Sequence, residues 1–282
     1  MVFPQHLSLH ALTVLHQQGI SPNSVLTLTT PNAATIAVNA TDINQFGSIT
    51  TDEYGHGPFS VWQSGRIAEQ EFIHCAFPPT LKQVTKIADG IKRVSPIMQI
   101  DRSDGHCLLE IDKQVATDNL LTNLPDNLQS IGLTQPFSLL CATSENESRE
   151  SIEQGHYKLH HVVSSNQDKQ QIHLSGTAKT GRYLFWGIRD QQYAQEVMLN
   201  QLQSAKEQLG ETPKFALMFP NIGRGAEFFN GRDRDLELFK ETFPNTPLIG
   251  FYGNGEVVPG HKFSGLIPVS YTHLTLPTIY SV

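Results

Sequence analysis

Apolar residues recur along this chain at two spacings, and the alternation between them predicts its elements. Over Leu7 to Gln18 the residues Leu7, Ala11, Val14 and Leu15 fall at helical spacing, and Gly19 stands where a helix ends. The β-branched runs Ser24 to Thr30 and Thr35 to Val38, separated by Pro31-Asn32, predict paired strands. Asp52 to Pro58 has loop chemistry, and Val61-Trp62 with Ile67 to Phe77 predicts a hairpin turning at Ser64-Gly65. Breaks are expected at Pro78-Pro79 and Ser95-Pro96. Beyond them Ile97 to Asp101 and Cys107 to Ile111 flank Arg102-Ser103-Asp104-Gly105, a hairpin signal. A weak helical pattern runs from Asp112 to Leu124 and closes at Pro125-Asp126-Asn127. Ser144 to Gln154 is polar and is expected to be a surface loop. Strand-like runs follow at Tyr157 to Val163, Gln171 to Leu174 and Arg182 to Ile188.

The strongest helix pattern comes next. Asp190 can cap it, Ala194, Val197, Met198, Leu202, Ala205 and Leu209 form one stripe, and Gly210 ends it. Phe215 to Phe219 then reads as a buried strand, Leu236, Phe239 and Phe243 as a helix face, and Leu248 to Tyr252 as a second strand. The whole pattern predicts an α+β fold of mixed β-sheets covered by helices, in two sub-domains.

Each of the last two strands feeds a glycine-rich loop. The first holds Asn221, Gly223, Arg224 and Gly225; the second holds Gly253, Asn254, Gly255 and Glu256. Glycines let a backbone approach a ligand closely, and an arginine fork suits a carboxylate or phosphate. Glu256 can accept from an amine or pair with Arg224, and the residues leave that choice open. If the strands are neighbours and the loops leave at one edge, Arg224 and Glu256 converge. The plain alternative is two tight turns carrying surface charges. Neither glycine pair completes a dinucleotide fingerprint, and no phosphate-binding loop of the GxxxxGK[ST] type occurs. Phe228 and Phe229 are expected in the core.

Composition removes several classes. The net charge of −7 offers no basic stripe for nucleic acid, and no apolar run approaches the roughly 20 residues that span a bilayer. No basic start with a cleavage site opens the chain, so a cytoplasmic protein is expected. Cys75, Cys107 and Cys141 are odd in number and far apart, which fits reduced thiols, each expected to be buried and inert. His156, His160 and His161 form the one local histidine cluster, but in a strand two of them share a face without a third ligand. His56 and His261 lie in loops as weaker ligand-contact candidates. No nucleophile motif, metal set or cofactor fingerprint is present, so neither a cofactor nor a metal is expected.

FPNIGRG at Phe219 to Gly225, a helix ending at Phe243-Pro244, and PLIGFYGNGEVVP at Pro247 to Pro259 resemble the C-terminal half of the FIST domain, named for F-box and intracellular signal transduction proteins. SDGHCLLEIDKQVATDNLLTNLP at Ser103 to Pro125 is similar to that family's junction segment. The resemblance covers about Ile97 to Pro268. It implies residues 1–95 as a partial N-terminal-like region, 96–268 as the C-terminal domain, and a chain beginning inside or near the end of the N-terminal half. Val269 to Val282 resembles the translation of a sequencing adapter and is expected to be a non-native tail.

The resemblance implies a sensory or signal-transduction module, known in bacteria alone or attached to signalling domains and in eukaryotes behind an F-box. Such a module binds a small ligand, with amino acids as candidates, and passes the signal to a protein partner. Relatives often carry cysteine just before the Gly-Arg-Gly loop, where this chain has Asn221, which moves the expectation from thiol chemistry to binding. The alternatives are a protein–protein interaction module and, behind it, an enzyme using Glu256 as acid or base while Arg224 holds an anionic substrate.

Overall fold

A computed structural model describes residues 5–7, 24–38, 45–50, 57–77, 81–258, 265–267 and 271–279. The expected helix over Leu7 to Gln18, the tandem prolines 78–79, His56 and His261 lie outside the described residues, except that Leu7 ends a short strand. Contacts group the chain into two compact units: residues 1–90 with 194–282, and residues 91–193.

The first unit begins with β1 (Gln5–Leu7), β2 (Ser24–Thr29), helix α1 (Ala34–Val38) and β3 (Gln45–Ile49). The hairpin β4 (Trp62–Gln63) and β5 (Arg66–Ile67) turns at Ser64-Gly65 as the sequence predicts. Then come β6 (Phe72–Phe77) and β7 (Leu81–Asp89). One prediction fails here: Thr35 to Val38 is helix, not strand. The reason lies in β2 and β3, which run parallel. Parallel neighbours need a crossover rather than a hairpin, and α1 begins it, burying Ala34, Ala37 and Val38 at i, i+3 and i+4.

The second unit holds β8 (Ile91–Arg93), β9 (Met98–Asp104), β10 (Cys107–Ile111), β11 (Gln114–Val115), α2 (Ala116–Asn123), α3 (Asp126–Thr134), β12 (Leu139–Ser144), α4 (Arg149–Glu153), β13 (Tyr157–Asn166), β14 (Gln171–Leu174) and β15 (Tyr183–Arg189). Six of these strands close into a barrel in the order β9-β10-β14-β13-β12-β15, with β15 returning to β9 at Tyr183↔Gln99 and Leu184↔Met98. The sequence predicts sheets but not this closure, because alternation marks the inward face of a strand and says nothing about which edges meet. Ile100, Leu108, Leu139, Val162, Ile172 and Trp186 fill the interior. Leu120 of α2 and Leu128 of α3 pack against that core. The stretch expected as a loop, Ser144 to Gln154, contains α4, which buries Ser151 and Ile152.

Helix α5 (Gln191–Leu209) starts from Asp190, whose carboxylate accepts the Tyr193 amide at 2.8 Å, and buries the expected stripe at Ala194, Met198, Leu202, Ala205 and Leu209. The first unit then resumes with β16 (Ala216–Pro220), α6 (Arg234–Thr242), β17 (Leu248–Gly250), β18 (Gly255–Val258), β19 (Gly265–Ile267) and β20 (Tyr271–Ile279). Its two larger sheets have the orders β1-β6-β2-β3-β18-β19 and β17-β16-β20-β7. Phe46, Phe77, Leu217 and Phe219, drawn from both sheets, share one apolar cluster, so the sheets pack face to face there. No described helix is long and apolar enough to cross a membrane.

Candidate functional site

β16 and β17 are parallel neighbours, in register from Ala216↔Leu248 to Met218↔Gly250, with α6 in the crossover between them. Their loops therefore leave at one edge, and they bond to each other. The Ile222 amide donates to the Gly253 carbonyl at 2.8 Å, and the Gly253 amide to the Pro220 carbonyl at 2.8 Å. The Asn254 amide donates to the Ile49 carbonyl of β3 at 2.8 Å, which ties the second loop to the other sheet. Gly253 is compelled by this crowding: a Cβ there would lie 1.9 Å from Ser48 Oγ and 2.8 Å from the Ile49 carbonyl oxygen. What the glycine approaches is the protein's own backbone.

Asn221 caps the short turn Ile222–Arg224 by accepting the Gly223 amide at 2.9 Å. That turn carries Arg224 inward until it is 1% exposed. Its Nε donates to Asp235 Oδ2 at 2.7 Å and its Nη2 to Asp235 Oδ1 at 3.1 Å, a bidentate pair. Nη1 also donates to the Ala88 carbonyl at 2.7 Å and Nη2 to the Ala194 carbonyl at 3.0 Å. Asp235 belongs to the first turn of α6 and is itself buried. The arginine thus bridges β7, α5 and α6. Its fork is held by Asp235, not by Glu256. Tyr252 completes the frame, donating its hydroxyl to Asp233, the residue that caps α6 through the Leu236 amide.

Glu256 is neither in the loop nor on the surface. Gly255 and Glu256 open β18, between β3 and β19, with Glu256 opposite Ser48 and Ile267. The side chain is wholly buried, and neither carboxylate oxygen has a hydrogen-bond partner. Burial pushes its pKa well above the usual carboxylate range; the Asn221 side chain, the positive charge of Arg224 and the Glu256 backbone amide act in the other direction without offsetting it. Asn221 therefore stands near Glu256 without reaching hydrogen-bond geometry. The two loops bring Arg224 and Glu256 into one neighbourhood, but in unequal states: the guanidinium is saturated with acceptors, and the carboxyl, which burial favours in its neutral form, has no hydrogen-bond partner.

Asp235 is the site residue that reading the sequence misses. Its signal is its position, four residues before Phe239 and on the apolar face of α6, where a carboxylate needs a partner. Phe229 is buried as expected, and Phe228 stacks edge-on against it with ring centroids 4.7 Å apart. His160 packs in β13 with its Nε2 2.9 Å from Thr143 Oγ1. Among the described residues no group of three or more His, Cys, Asp or Glu side chains could hold a metal ion. Cys75 and Cys141 are buried, but Cys107 is not, since it begins β10 on the partly exposed face of the barrel wall. An open cleft of about 400 Å³ lies elsewhere, lined by Lys206, Glu211, Thr242 and Asn245 among others, and no residue of the two loops lines it.

Two curated proteins resemble part of this chain. F-box only protein 22 of Pongo abelii and F-box only protein 22 of Homo sapiens are each 32% identical over 63 residues, 22% of this chain and 15% of the relative. The chain thus spans a small part of the length of these relatives. A model of the FIST C domain matches residues 115–259, just over half of the sequence and inclusive of both loops. Matched by that domain over more than half of its length, this chain belongs to the FIST C-domain family.

Proposed function

We propose that this FIST-domain protein is a sensory module that binds a small amine-bearing ligand, with amino acids as the leading class, at Glu256. The observation that carries the reading is a wholly buried carboxylate with two unpartnered oxygens, set beside two loops bonded to each other. A buried acceptor left bare is costly, and an ammonium group both pairs with it and favours its charged form. Asn221 stands beside it with an amide able to contact the same ligand. Arg224 acts mainly as organiser, because its fork is occupied by Asp235. The ammonium end is therefore the recognised end, and an amino acid's carboxylate adds less. The family's link to signal transduction supplies the output: occupancy of Glu256 alters the loops and hence a protein partner.

Calorimetry with an amino-acid panel, and with the matching amines that lack the carboxylate, tests this. Wild type should bind members of both series, and Glu256→Gln should weaken binding at least tenfold. Equal affinity in the variant would sink the reading. A second reading, a protein-interaction module, is favoured by one feature: β17 is an edge strand and carries Ile249 at 67% exposure.

A further inference from the structure

Glu256 shares its sheet face with a second buried oxygen. In the antiparallel pair of β3 and β18 it stands directly opposite Ser48, and opposed residues project from the same face of a sheet with Cβ atoms about 5 Å apart. Ser48 is wholly buried as well. Its hydroxyl donates to the Gly255 carbonyl at 3.2 Å, so its one proton is engaged and the lone pairs of Oγ remain as acceptors. Glu256 adds two more acceptors, the carboxyl oxygens that have no partner. Asn221 has the opposite role. Its Oδ1 is held by the Gly223 amide at 2.9 Å, which leaves the NH2 as its free end. That group donates to a carboxylate, on Glu256 or on a ligand, and the Asn221 side chain favours the charged form of Glu256.

Space at these acceptors is as restricted as their chemistry. Gly253, bonded through its amide and carbonyl to the first loop, passes so close that a Cβ on it would lie 1.9 Å from Ser48 Oγ. The Ser48 hydroxyl is thus walled by backbone at Gly253 and Gly255, and a head group that reaches it has to be small.

A primary ammonium is the head group that matches. It carries three N–H donors and needs three acceptors when it leaves water, because each donor buried without a partner is costly. A secondary ammonium offers two donors and sets a methyl or larger group where the third should be, and a quaternary one offers none. We propose that Ser48 sets the specificity of this site: Glu256 takes two N–H donors of a primary ammonium, and Ser48 Oγ takes the third. The inference rests on the reading of Glu256 as the amine-binding group. It narrows the ligand class to unsubstituted primary amines, free amino acids among them, and excludes N-methylated and quaternary amines.

Calorimetry on the full chain with glycine, N-methylglycine and N,N,N-trimethylglycine tests this, because the series changes only the substitution of the nitrogen. Methylamine, dimethylamine and tetramethylammonium repeat it without the carboxylate. Wild type should bind N-methylglycine at least about tenfold more weakly than glycine, the effect of one unmet hydrogen bond to a charged group, and trimethylglycine more weakly still. Ser48→Ala should weaken glycine by about tenfold and bring N-methylglycine to within about threefold of it, since the third acceptor is gone and its space is free. A merely structural role for Ser48 would lower all members equally and leave their ratio unchanged. Equal binding of glycine and N-methylglycine by wild type, or a ratio unchanged in Ser48→Ala, would overturn the inference. If the series binds without discrimination and Glu256→Gln abolishes that binding, the amine site stands and the role of Ser48 falls. If no member binds wild type, the amine reading fails and takes this inference with it. Circular dichroism checks that Ser48→Ala folds, and if it does not, the wild-type series decides alone.

Discussion

The two units bury different things. Among the described residues of 91–193, no fully buried side chain carries a full charge; the barrel is filled by Leu, Ile, Val and Trp186, and its buried polar groups are neutral. The first unit buries Arg224, Asp235 and Glu256, all at 2% side-chain or residue exposure or less, beside a single pair of loops. Replacing buried ions by apolar groups of similar volume is often neutral or stabilising, so burying charge is not the way to gain stability. The barrel shows that this chain can build a core without charge. The buried Arg224–Asp235 pair of the first unit is thus best understood as fixing a particular loop geometry around one carboxyl group, and that difference marks the site.

The largest effect should come from breaking the saturated pair. Arg224→Met leaves Asp235 buried without its bidentate partner, and the Ala88 and Ala194 carbonyls without their donor. Removing one member of a buried ion pair costs about 3–5 kcal/mol. Urea unfolding should show that loss, and amide exchange should place it in residues 216–258. The double variant Arg224→Met/Asp235→Leu should recover much of it, because no lone charge then remains. If the double variant is as unstable as the single one, the pair is not a matched geometric device, and the contrast with the barrel loses its basis.

What the sequence made legible follows the same division. Local pattern was enough for α5, whose stripe and Asp190 cap are both observed, and for the Ser64-Gly65 hairpin, where turn chemistry fixes the register. It set out the condition under which the two loops meet, neighbouring strands with loops at one edge, and the parallel pairing of β16 and β17 meets that condition. It failed where a nonlocal partner decides. Thr35 to Val38 has β-branched residues at three of its four positions, yet it is helical because β2 and β3 are parallel. The barrel closes through β9 and β15, whose pairing no local pattern encodes. At the site, Gly253-Asn254-Gly255-Glu256 has turn composition throughout. Burial of Glu256 depends on β3 and β19 flanking β18, and β3 comes from a distant part of the chain.

Acid should act on both units, because among the described residues each buries one neutral histidine. Nδ1 of His74 lies 2.9 Å from Thr27 Oγ1 in the first unit, and His160 pairs in the same manner with Thr143 in the barrel. Burial lowers both to about 4, with Lys158 and His106 adding to the effect at His160. A histidine lowered in the folded state leaves the unfolded chain holding more protons between pH 6.5 and 4. Stability therefore falls as pH drops through that window, by about 3 kcal/mol for each histidine. Urea midpoints at pH 7 and pH 4 measure the total. His74→Gln should flatten the pH dependence by roughly half while leaving the His160 share in place. An unchanged slope in that variant would mean that His74 is not buried as a neutral ring.

The smallest effect has the opposite sign and bears most directly on function. Because burial raises the Glu256 carboxyl, the native chain holds a proton that the unfolded chain has already released above the ordinary glutamate range. The contribution of this group to stability thus declines as pH rises from that range towards its folded value, the reverse of the histidines. Glu256→Gln keeps the shape, cannot ionise and retains a donor for its surroundings. At pH 7 without ligand it should be more stable than wild type, because the buried wild-type carboxyl must be kept protonated above its ordinary range and the amide carries no such cost. Its urea midpoint should also lose the alkaline decline. A gain in stability coupled to a loss of amine binding would mark Glu256 as a residue held in place for a ligand at the expense of the fold. A loss of stability would instead make it a structural member of β18, and the buried ionisable groups around the two loops would then have no more functional meaning than the apolar filling of the barrel.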